Sequence, residues 1–426
     1  MYTSVSSLEQ AVSFAPIPTF IDELIHTAVF SEDTEIRQAA QKALRTIAQK
    51  QGIVFSATKY IYNAIGHGKL TEFTVPAINI RAMTYDIAYL IFTLMKKHLI
   101  GLVIFEIARS EMEYTKQDQE EFALCVLAGA LKIGYTGPIF LQADHYQVRK
   151  KHFAENPQEE IELLKKLISD ALTAGFYNID IDASTLVDLS QPTIAAQQKD
   201  NIEITTQLAQ FVLDTKPSSQ EVTIGAEIGH IGDTNSTQED LIVFMDGIKK
   251  SLPEHTITKL SIQTGTSHGG NVLPDGTLKQ ATVDFGLLDS LGMLAKEKYG
   301  LAGVVQHGAS TLPLSDFTKF PLATTLEIHL STALQNIVYN HLPNDAKQTL
   351  YDWIATNCAN DRKPDWTDEQ FYYKTRKKAL GPNKKLLWDL TPEEKEPILH
   401  ALTAYFEALF EGLQIVNTRE KIQAYY

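Results

Sequence analysis

Eight short apolar runs, rich in β-branched residues, constrain the fold of this 426-residue chain more than any other feature. Segments with helical periodicity separate most of them. Residues 159–174 are an example, and Gly175 follows them as a helix C-cap. Strands that alternate with helices form parallel βαβ units. The runs cover residues 74–80, 101–108, 137–144, 177–184, 223–229, 259–265, 302–309 and 324–331.

Eight units over about 260 residues are the count and size expected of a (β/α)₈ TIM barrel in the α/β class. A doubly wound open sheet has the same alternation, but no GxGxxG fingerprint follows the first run. We therefore predict a helical N-terminal segment over residues 1–70, a barrel over 71–345 and a helical C-terminal extension over 346–426. No strand is expected before Thr74.

Composition narrows the class of protein. The net charge is −14, from 38 basic and 52 acidic residues, which disfavours a nucleic-acid partner. The two cysteines, Cys125 and Cys358, form no CxxC pattern, so neither a disulfide framework nor a cysteine metal site is expected. No apolar run is long enough for a membrane helix, and the first residues lack a secretory signal. A cytoplasmic enzyme is the expectation.

Polar residues gather where the predicted strands end, which is where barrel enzymes carry their catalytic groups. Four of the twelve histidines follow strands 3, 6, 7 and 8. A lone histidine there is more often structural, but several that converge beside carboxylates indicate a divalent metal, and imidazole suits Zn²⁺. The histidines are His145, His268, His307 and His329.

Glycine-containing loops after strands 6 and 7 predict phosphate binding at the same mouth. Residues 265–270 read Gly-Thr-Ser-His-Gly-Gly and residues 307–310 read His-Gly-Ala-Ser, and both patterns let backbone N–H groups approach an anion. Ser331 and Thr332 precede an apolar helix and could cap it, presenting its N-terminus to a phosphate. The alternative for each loop is an ordinary tight βα turn.

These motifs resemble the class II fructose-bisphosphate/tagatose-bisphosphate aldolases over roughly residues 70–340. Asp144-His145, residues 265–269, residues 307–310 and Glu227-Ile228-Gly229 each match a family motif. The resemblance implies His145, His268 and His307 as Zn²⁺ ligands, Glu227 as a carboxylate next to the metal, and Asp144 as the proton donor and acceptor for the aldehyde oxygen. It further implies substrate or phosphate binding by Asn79, Asp182, Ser184, Gly269, Gly308, Ser310, His329, Ser331 and Thr332.

The chain departs from the family pattern in three places. His329 stands where the family has an asparagine that contacts the enediolate, and Arg109 follows strand 2 where a serine-containing loop is usual. After strand 5 the C1 base is not fixed, since Asp233, Glu239 and Asp240 are all candidates. Glu239 could instead close a capping box over residues 236–239.

The implied function is reversible cleavage of a ketose (bis)phosphate, such as fructose 1,6-bisphosphate, to dihydroxyacetone phosphate and an aldehyde through a zinc-stabilised enediolate. One alternative is a class II-type aldolase with another ketose or donor. Another is a non-catalytic aldolase-like partner subunit, which retention of Asp144, His145, His268 and His307 disfavours. A homo-oligomer, a dimer or tetramer, is what the resemblance suggests. For the basic stretch 361–385, packing as a surface extension is preferred over phosphate or nucleic-acid contact.

Overall fold

The eight predicted strands form a closed parallel barrel in the computed structural model, which describes residues 4–8, 17–228, 234–265, 271–274, 277–279 and 282–426. Each of the eight strands pairs with the next one along the chain, and the eighth pairs with the first, so the barrel is closed. The barrel prediction is confirmed, and a doubly wound sheet is excluded. The strands are β1 (Val75–Asn79), β2 (Ile104–Ala108), β3 (Pro138–Gln147), β4 (Asn178–Asp182), β5 (Thr223–Glu227), β6 (Ile257–Ile262), β7 (Val304–Gln306) and β8 (Thr325–Leu330).

Helices surround the barrel and make up most of both terminal parts of the described chain. The helix Pro157–Ala174 is followed by Gly175, whose φ of +102° gives the left-handed C-cap that the sequence indicated. The helices are α1 (Ile17–Phe30), α2 (Thr34–Lys50), α3 (Lys59–Gly66), α4 (Thr84–Lys97), α5 (Arg109–Thr115), α6 (Gln119–Lys132), α7 (Lys150–Glu155), α8 (Pro157–Ala174), α9 (Ile194–Gln197), α10 (Lys199–Thr215), α11 (Gln238–Ile248), α12 (Phe285–Tyr299), α13 (Thr332–His341), α14 (Asn344–Asn357), α15 (Asp368–Thr375), α16 (Lys384–Trp388), α17 (Pro392–Gly412) and α18 (Arg419–Ile422).

The N-terminal segment is not wholly helical, which corrects the expectation that no strand precedes Thr74. A two-residue strand, Val54–Phe55, pairs in parallel with Pro138 and Ile139 of β3. Two apolar residues without periodicity are too few to predict a strand. This strand is stabilised by a pairing partner that lies more than 80 positions away along the chain. The antiparallel pairing of Asn271–Val272 with Leu278–Lys279 was also not predicted.

The terminal parts share a hydrophobic core with the barrel. α1 and α2 pack on α6, and α17 packs on α4 and α13. One cluster of buried side chains includes Leu24 from the N-terminal part, Leu141 from the barrel and Phe406 from the C-terminal part. The three-part division of the chain stays a prediction. In the described part of the chain, no helix is both long and apolar enough to cross a bilayer.

The barrel interior carries charge where the sequence indicated apolar strands. Lys259 of β6 is 1% exposed, and its ammonium group donates to Asp180 Oδ2 at 2.9 Å and to Glu327 Oε2 at 2.7 Å. Tyr62 of α3 also donates to Glu327. α3 closes the end of the barrel where β4 and β5 begin, and Thr58, the residue before α3, is hydrogen-bonded to Asn178 at the start of β4. Access to the barrel interior is therefore from the carboxyl ends of the strands.

Gly225 of β5 makes room for this charged layer, so Gly225→Ala is expected to destabilise the fold. A Cβ there would lie 2.2 Å from Asp180 Oδ1 and 2.8 Å from Lys259 Cε. Overpacking of this kind costs about 1–3 kcal/mol of unfolding free energy, measurable by urea denaturation. Gly286→Ala is the control, since its Cβ would meet Asp284 at 3.5 Å and alanine favours a helix. Equal stability of Gly225→Ala and the wild type would contradict this view of the interior.

Candidate active site

An extra residue in β3 turns two consecutive side chains toward the mouth of the barrel. The register of β3 against β4 shifts between Ala143 and Tyr146, and His145 has a φ of +42°. In a regular strand, neighbouring side chains point to opposite faces. Here Asp144 and His145 both line the cavity at the carboxyl end. The sequence placed this pair at the end of strand 3, whereas β3 continues to Gln147.

Two histidines on opposite sides of the barrel bring ring nitrogens together. His145 Nε2 lies 2.9 Å from His307 Nδ1. The other nitrogen of each ring is held from behind, His145 Nδ1 by Glu227 Oε2 at 3.1 Å and His307 Nε2 by Ser261 Oγ at 3.1 Å. A metal-binding imidazole has this arrangement, with one nitrogen facing the ion and the other in an orienting hydrogen bond. The 2.9 Å separation lets both nitrogens bind one Zn²⁺ at about 2.0–2.1 Å.

Carboxylates concentrate negative potential at this point. Burial alone would lower the pKa of His145, but the nearby charges of Asp144 and Glu227 outweigh it and hold that pKa well above its ordinary value. Burial and the charge of Asp182 raise the pKa of Glu227 to about 7. A divalent cation would balance the negative charge of these carboxylates, so that neither His145 nor Glu227 would need to be protonated. His145 belongs to two such groups, one with Asp144 and His307 and one with Asp182 and Glu227, each with ligand atoms within 4.8 Å of one another.

Asp182 supports His145 from behind, so Asp182→Asn is expected to weaken Zn²⁺ affinity about 10–100-fold. The carboxylate lies 3.3 Å from His145 Nδ1 and also accepts from Ser184 N and Oγ. Asp188 is a matched control, because it accepts from Ser190 N and Oγ in the same way but is exposed. Competition with a chromogenic chelator measures both variants. Equal affinities of the two variants would contradict the positioning role of Asp182.

The cavity has a volume of about 710 Å³, and part of its rim fits a phosphate. Gly308 has a φ of +73°, and Ser310 Oγ accepts from the backbone N–H of Ser331 at 3.0 Å. Ser331 is the N-cap of α13 but makes no side-chain cap bond, since its hydroxyl accepts from Arg81 at 2.8 Å instead. The uncapped N–H groups of α13 therefore stay available to an anion.

A cationic wall of the cavity was missed by the sequence analysis. The stretch 361–385 packs as an extension through Phe371 and Leu380, as preferred, but it also contributes Tyr373, Lys374 and Lys377 to the cavity. These residues lie far from the strands along the chain. Only their basic and aromatic character could have indicated a role in the cavity. The other unpredicted charged residues of the lining are Arg81, Glu106, Glu111, Arg149 and Lys150, and Arg109 lines it while paired with Glu160.

The structure brings most predicted site residues together. Asn79, Asp144, His145, His307, Gly308, Ser310, His329, Ser331 and Thr332 line the cavity. The buried side chains Asp182, Ser184 and Glu227 lie behind His145 and do not line it.

The candidates for the base are less well placed. Glu239 is exposed in the first turn of α11 and does not line the cavity. The capping box is formed by Thr237 and Asp240, one residue later than the sequence suggested for Glu239. Asp233, His268 and Gly269 lie outside the described residues.

One family model matches most of the chain. The family model described as fructose-bisphosphate aldolase class-II matches residues 59–382, whereas no curated protein sequence matches the chain. Among solved structures, fructose-bisphosphate aldolase from Campylobacter jejuni is similar at 18% identity and a TM-score of 0.50, covering 86% of this chain and 97% of that one.

Two further similar structures carry other descriptions. A probable tagatose 6 phosphate kinase from Sinorhizobium meliloti 1021 has 13% identity and a TM-score of 0.57, with 83% and 99% coverage. The fructuronate-tagaturonate epimerase UxaE from Cohnella laeviribosi has 12% identity and a TM-score of 0.55, with 94% and 90% coverage. At these identities the three structures show a shared fold.

Proposed function

The chain belongs to the class-II fructose-bisphosphate aldolase family, and we propose that it cleaves a ketose phosphate, such as fructose 1,6-bisphosphate, reversibly to dihydroxyacetone phosphate and an aldehyde. The observation that carries this proposal is the 2.9 Å approach of His145 Nε2 to His307 Nδ1 beside Asp144, in a cavity with an anion-binding rim. Family membership supports an aldolase-type lyase. The substrate and the use of Zn²⁺ are our inference.

His145 and His307 would hold the metal, with His268 as the expected third ligand and Glu227 beside it. When bound, Zn²⁺ supplies Lewis-acid polarisation of the substrate carbonyl. Asp144 is 5% exposed and lies at the cavity wall, where it can exchange a proton with the aldehyde-derived oxygen. The base that removes the C1 proton is expected from the segment after β5, where Asp233 is the candidate, since Glu239 does not line the cavity and Asp240 closes the capping box of α11.

The rim formed by Gly308, Ser310, Ser331 and the start of α13 would bind the phosphate of the donor. Fixing that phosphate holds C1 of the donor near Asp144 and the histidines, which converts a bimolecular encounter into an oriented one. Lys377, which also lines the cavity, would bind a second anionic group of the substrate.

Lys377→Met is therefore expected to raise KM about 10-fold with little change in kcat. The loss of one charge-assisted contact weakens the binding free energy by about 1.4 kcal/mol, which is a factor of ten in affinity. Lys378→Met is the matched control, because Lys378 is the next residue but pairs with Asp361 on the surface. Steady-state kinetics on the bisphosphate would test both variants. An unchanged KM for Lys377→Met would place the second anionic group elsewhere.

The direct test is condensation followed by ³¹P NMR. Zn²⁺-loaded protein is incubated with dihydroxyacetone phosphate and a set of aldehydes, and a chelator is added to a parallel sample. We expect a new ketose phosphate signal that disappears with the chelator. Absence of condensation with every aldehyde, in protein with measured metal, would contradict the aldolase proposal.

Epimerisation of a ketose acid is the second candidate. The resemblance to UxaE extends over 94% of this chain and so includes the terminal parts. The lysine and arginine side chains that line the cavity could bind a carboxylate as well as a phosphate. Interconversion of tagaturonate and fructuronate, without release of smaller fragments, would favour this activity. For assembly, we propose a homo-oligomer, a dimer or tetramer, which light scattering would test.

A further inference from the structure

A second group of potential metal ligands lies on the other side of Asp144. His329 Nδ1 is 3.2 Å from Asp144 Oδ1 and 3.1 Å from Glu106 Oε2. All three side chains line the cavity, and their ligand atoms lie within 4.8 Å of one another. The His329 and His307 rings are adjacent, with centroids 4.0 Å apart. The group is therefore continuous with the His145–His307 site, and Asp144 is the side chain that the two groups have in common.

His329 is oriented in the way that metal-binding histidines are. Its Nε2 lies 3.0 Å from Glu327 Oε2, and Glu327 is fixed by Lys259 at 2.7 Å. This leaves Nδ1 directed at Glu106 and Asp144. A carboxylate behind one ring nitrogen and a site in front of the other is the arrangement that sets the tautomer of a ligand histidine.

Glu106 provides an independent sign of a missing cation. Its side chain is fully buried, and Oε1 has no hydrogen-bond partner among the described residues. A buried carboxylate oxygen without a partner is costly, and such groups are normally paired or coordinate a metal. Burial and the charge of Asp144 raise the pKa of Glu106 to about 7, so the isolated carboxylate is poorly accommodated.

Carboxylates predominate around His329. The side chains of Glu106, Asp144 and Glu327 lie against its ring nitrogens, and Lys259 pairs with Glu327 and Asp180 in the layer behind. A divalent cation in front of Nδ1 would add positive charge here and leave His329 neutral as a ligand.

We propose that Glu106 and His329 bind a second divalent cation next to the His145–His307 site, with the Asp144 carboxylate beside it as the proton-exchanging group. A carboxylate and an imidazole suit Zn²⁺ or Mn²⁺. In two-metal sites the ions are about 3.5–4 Å apart. The proposal concerns metal binding and holds whichever ketose the protein uses.

Metal stoichiometry tests the site without an activity assay. Full-length protein is stripped of metal and titrated with Zn²⁺, and separately with Mn²⁺, with bound metal determined by equilibrium dialysis and mass spectrometry. We expect two equivalents in this cavity for the wild type and one for Glu106→Gln. His307→Ala is expected to lose the other equivalent. In the Mn²⁺ protein, the electron paramagnetic resonance spectrum should show coupled ions that become isolated in Glu106→Gln.

Glu111→Gln is the matched control, because Glu111 is a buried carboxylate of the same cavity that pairs with Arg81 and lies outside the group. It should retain two equivalents, and circular dichroism should show that both variants are folded. A single equivalent in the wild type would overturn the proposal and assign the compensating charge to a protonated His329. Two equivalents that persist in folded Glu106→Gln would also overturn it.

Discussion

His307→Ala is expected to reduce kcat by at least about 10³-fold and to abolish Zn²⁺ binding at the His145–His307 site. Metal Lewis acidity contributes several kcal/mol to a transition state, and each 1.36 kcal/mol is a factor of ten in rate. His307 is one of two described histidines whose ring nitrogens meet at 2.9 Å, so its removal leaves His145 without its facing ligand. Isothermal titration with Zn²⁺ and steady-state kinetics measure the two effects.

His341→Ala is the control for this change, since His341 is exposed at the end of α13 and its Nδ1 lies 2.9 Å from the Ile337 carbonyl of the same helix. It should keep wild-type metal content and rate. If His307→Ala retained both high-affinity Zn²⁺ and turnover, the assignment of the metal centre would be wrong.

Asp144→Asn is expected to lower kcat about 10²–10⁴-fold, the range typical of a lost general acid–base group, while Zn²⁺ stays bound at the His145–His307 site. The asparagine keeps the shape of the side chain but can neither take up nor supply the proton. Because Asp144 Oδ1 is 3.8 Å from His145 Nε2, farther than the 2.9 Å that joins the two histidines, the histidines should hold their ion without it.

Single-turnover kinetics and metal content distinguish this loss from a loss of metal. Asp188→Asn, an exposed aspartate after β4, serves again as the control and should be unaffected. Wild-type turnover in Asp144→Asn would contradict the proposed role of Asp144 and move the proton transfer to another group.

The strands of the fold were predictable because each buried strand carries its own apolar signal. All eight were found, with bounds shifted by a few residues, such as Ile257–Ile262 against the predicted run 259–265. The short strand at Val54–Phe55 was not, because it exists only through pairing with β3. Local sequence records the propensity of a segment, whereas isolated pairings depend on residues far along the chain.

The candidate site was partly predictable for a related reason. Asp144, His145 and His307 lie at the carboxyl ends of strands in recognisable motifs, but Lys377 reaches the cavity from the C-terminal extension and has no motif. Glu106 and Lys259 did leave a signal, namely single charges within otherwise apolar strands, which indicates an inward position with a buried partner. The bulge that turns Asp144 and His145 to one side was not visible, since no glycine marks it.

Proton–deuterium exchange at C1 of dihydroxyacetone phosphate tests the central proposal most directly, because it needs no knowledge of the aldehyde. The Zn²⁺-loaded protein is incubated with this ketose phosphate in D₂O, and the C1 proton signal is followed by NMR with and without a chelator. We predict stereospecific loss of one C1 proton that the chelator prevents. No exchange by protein with its measured complement of metal would contradict an aldolase that uses this donor.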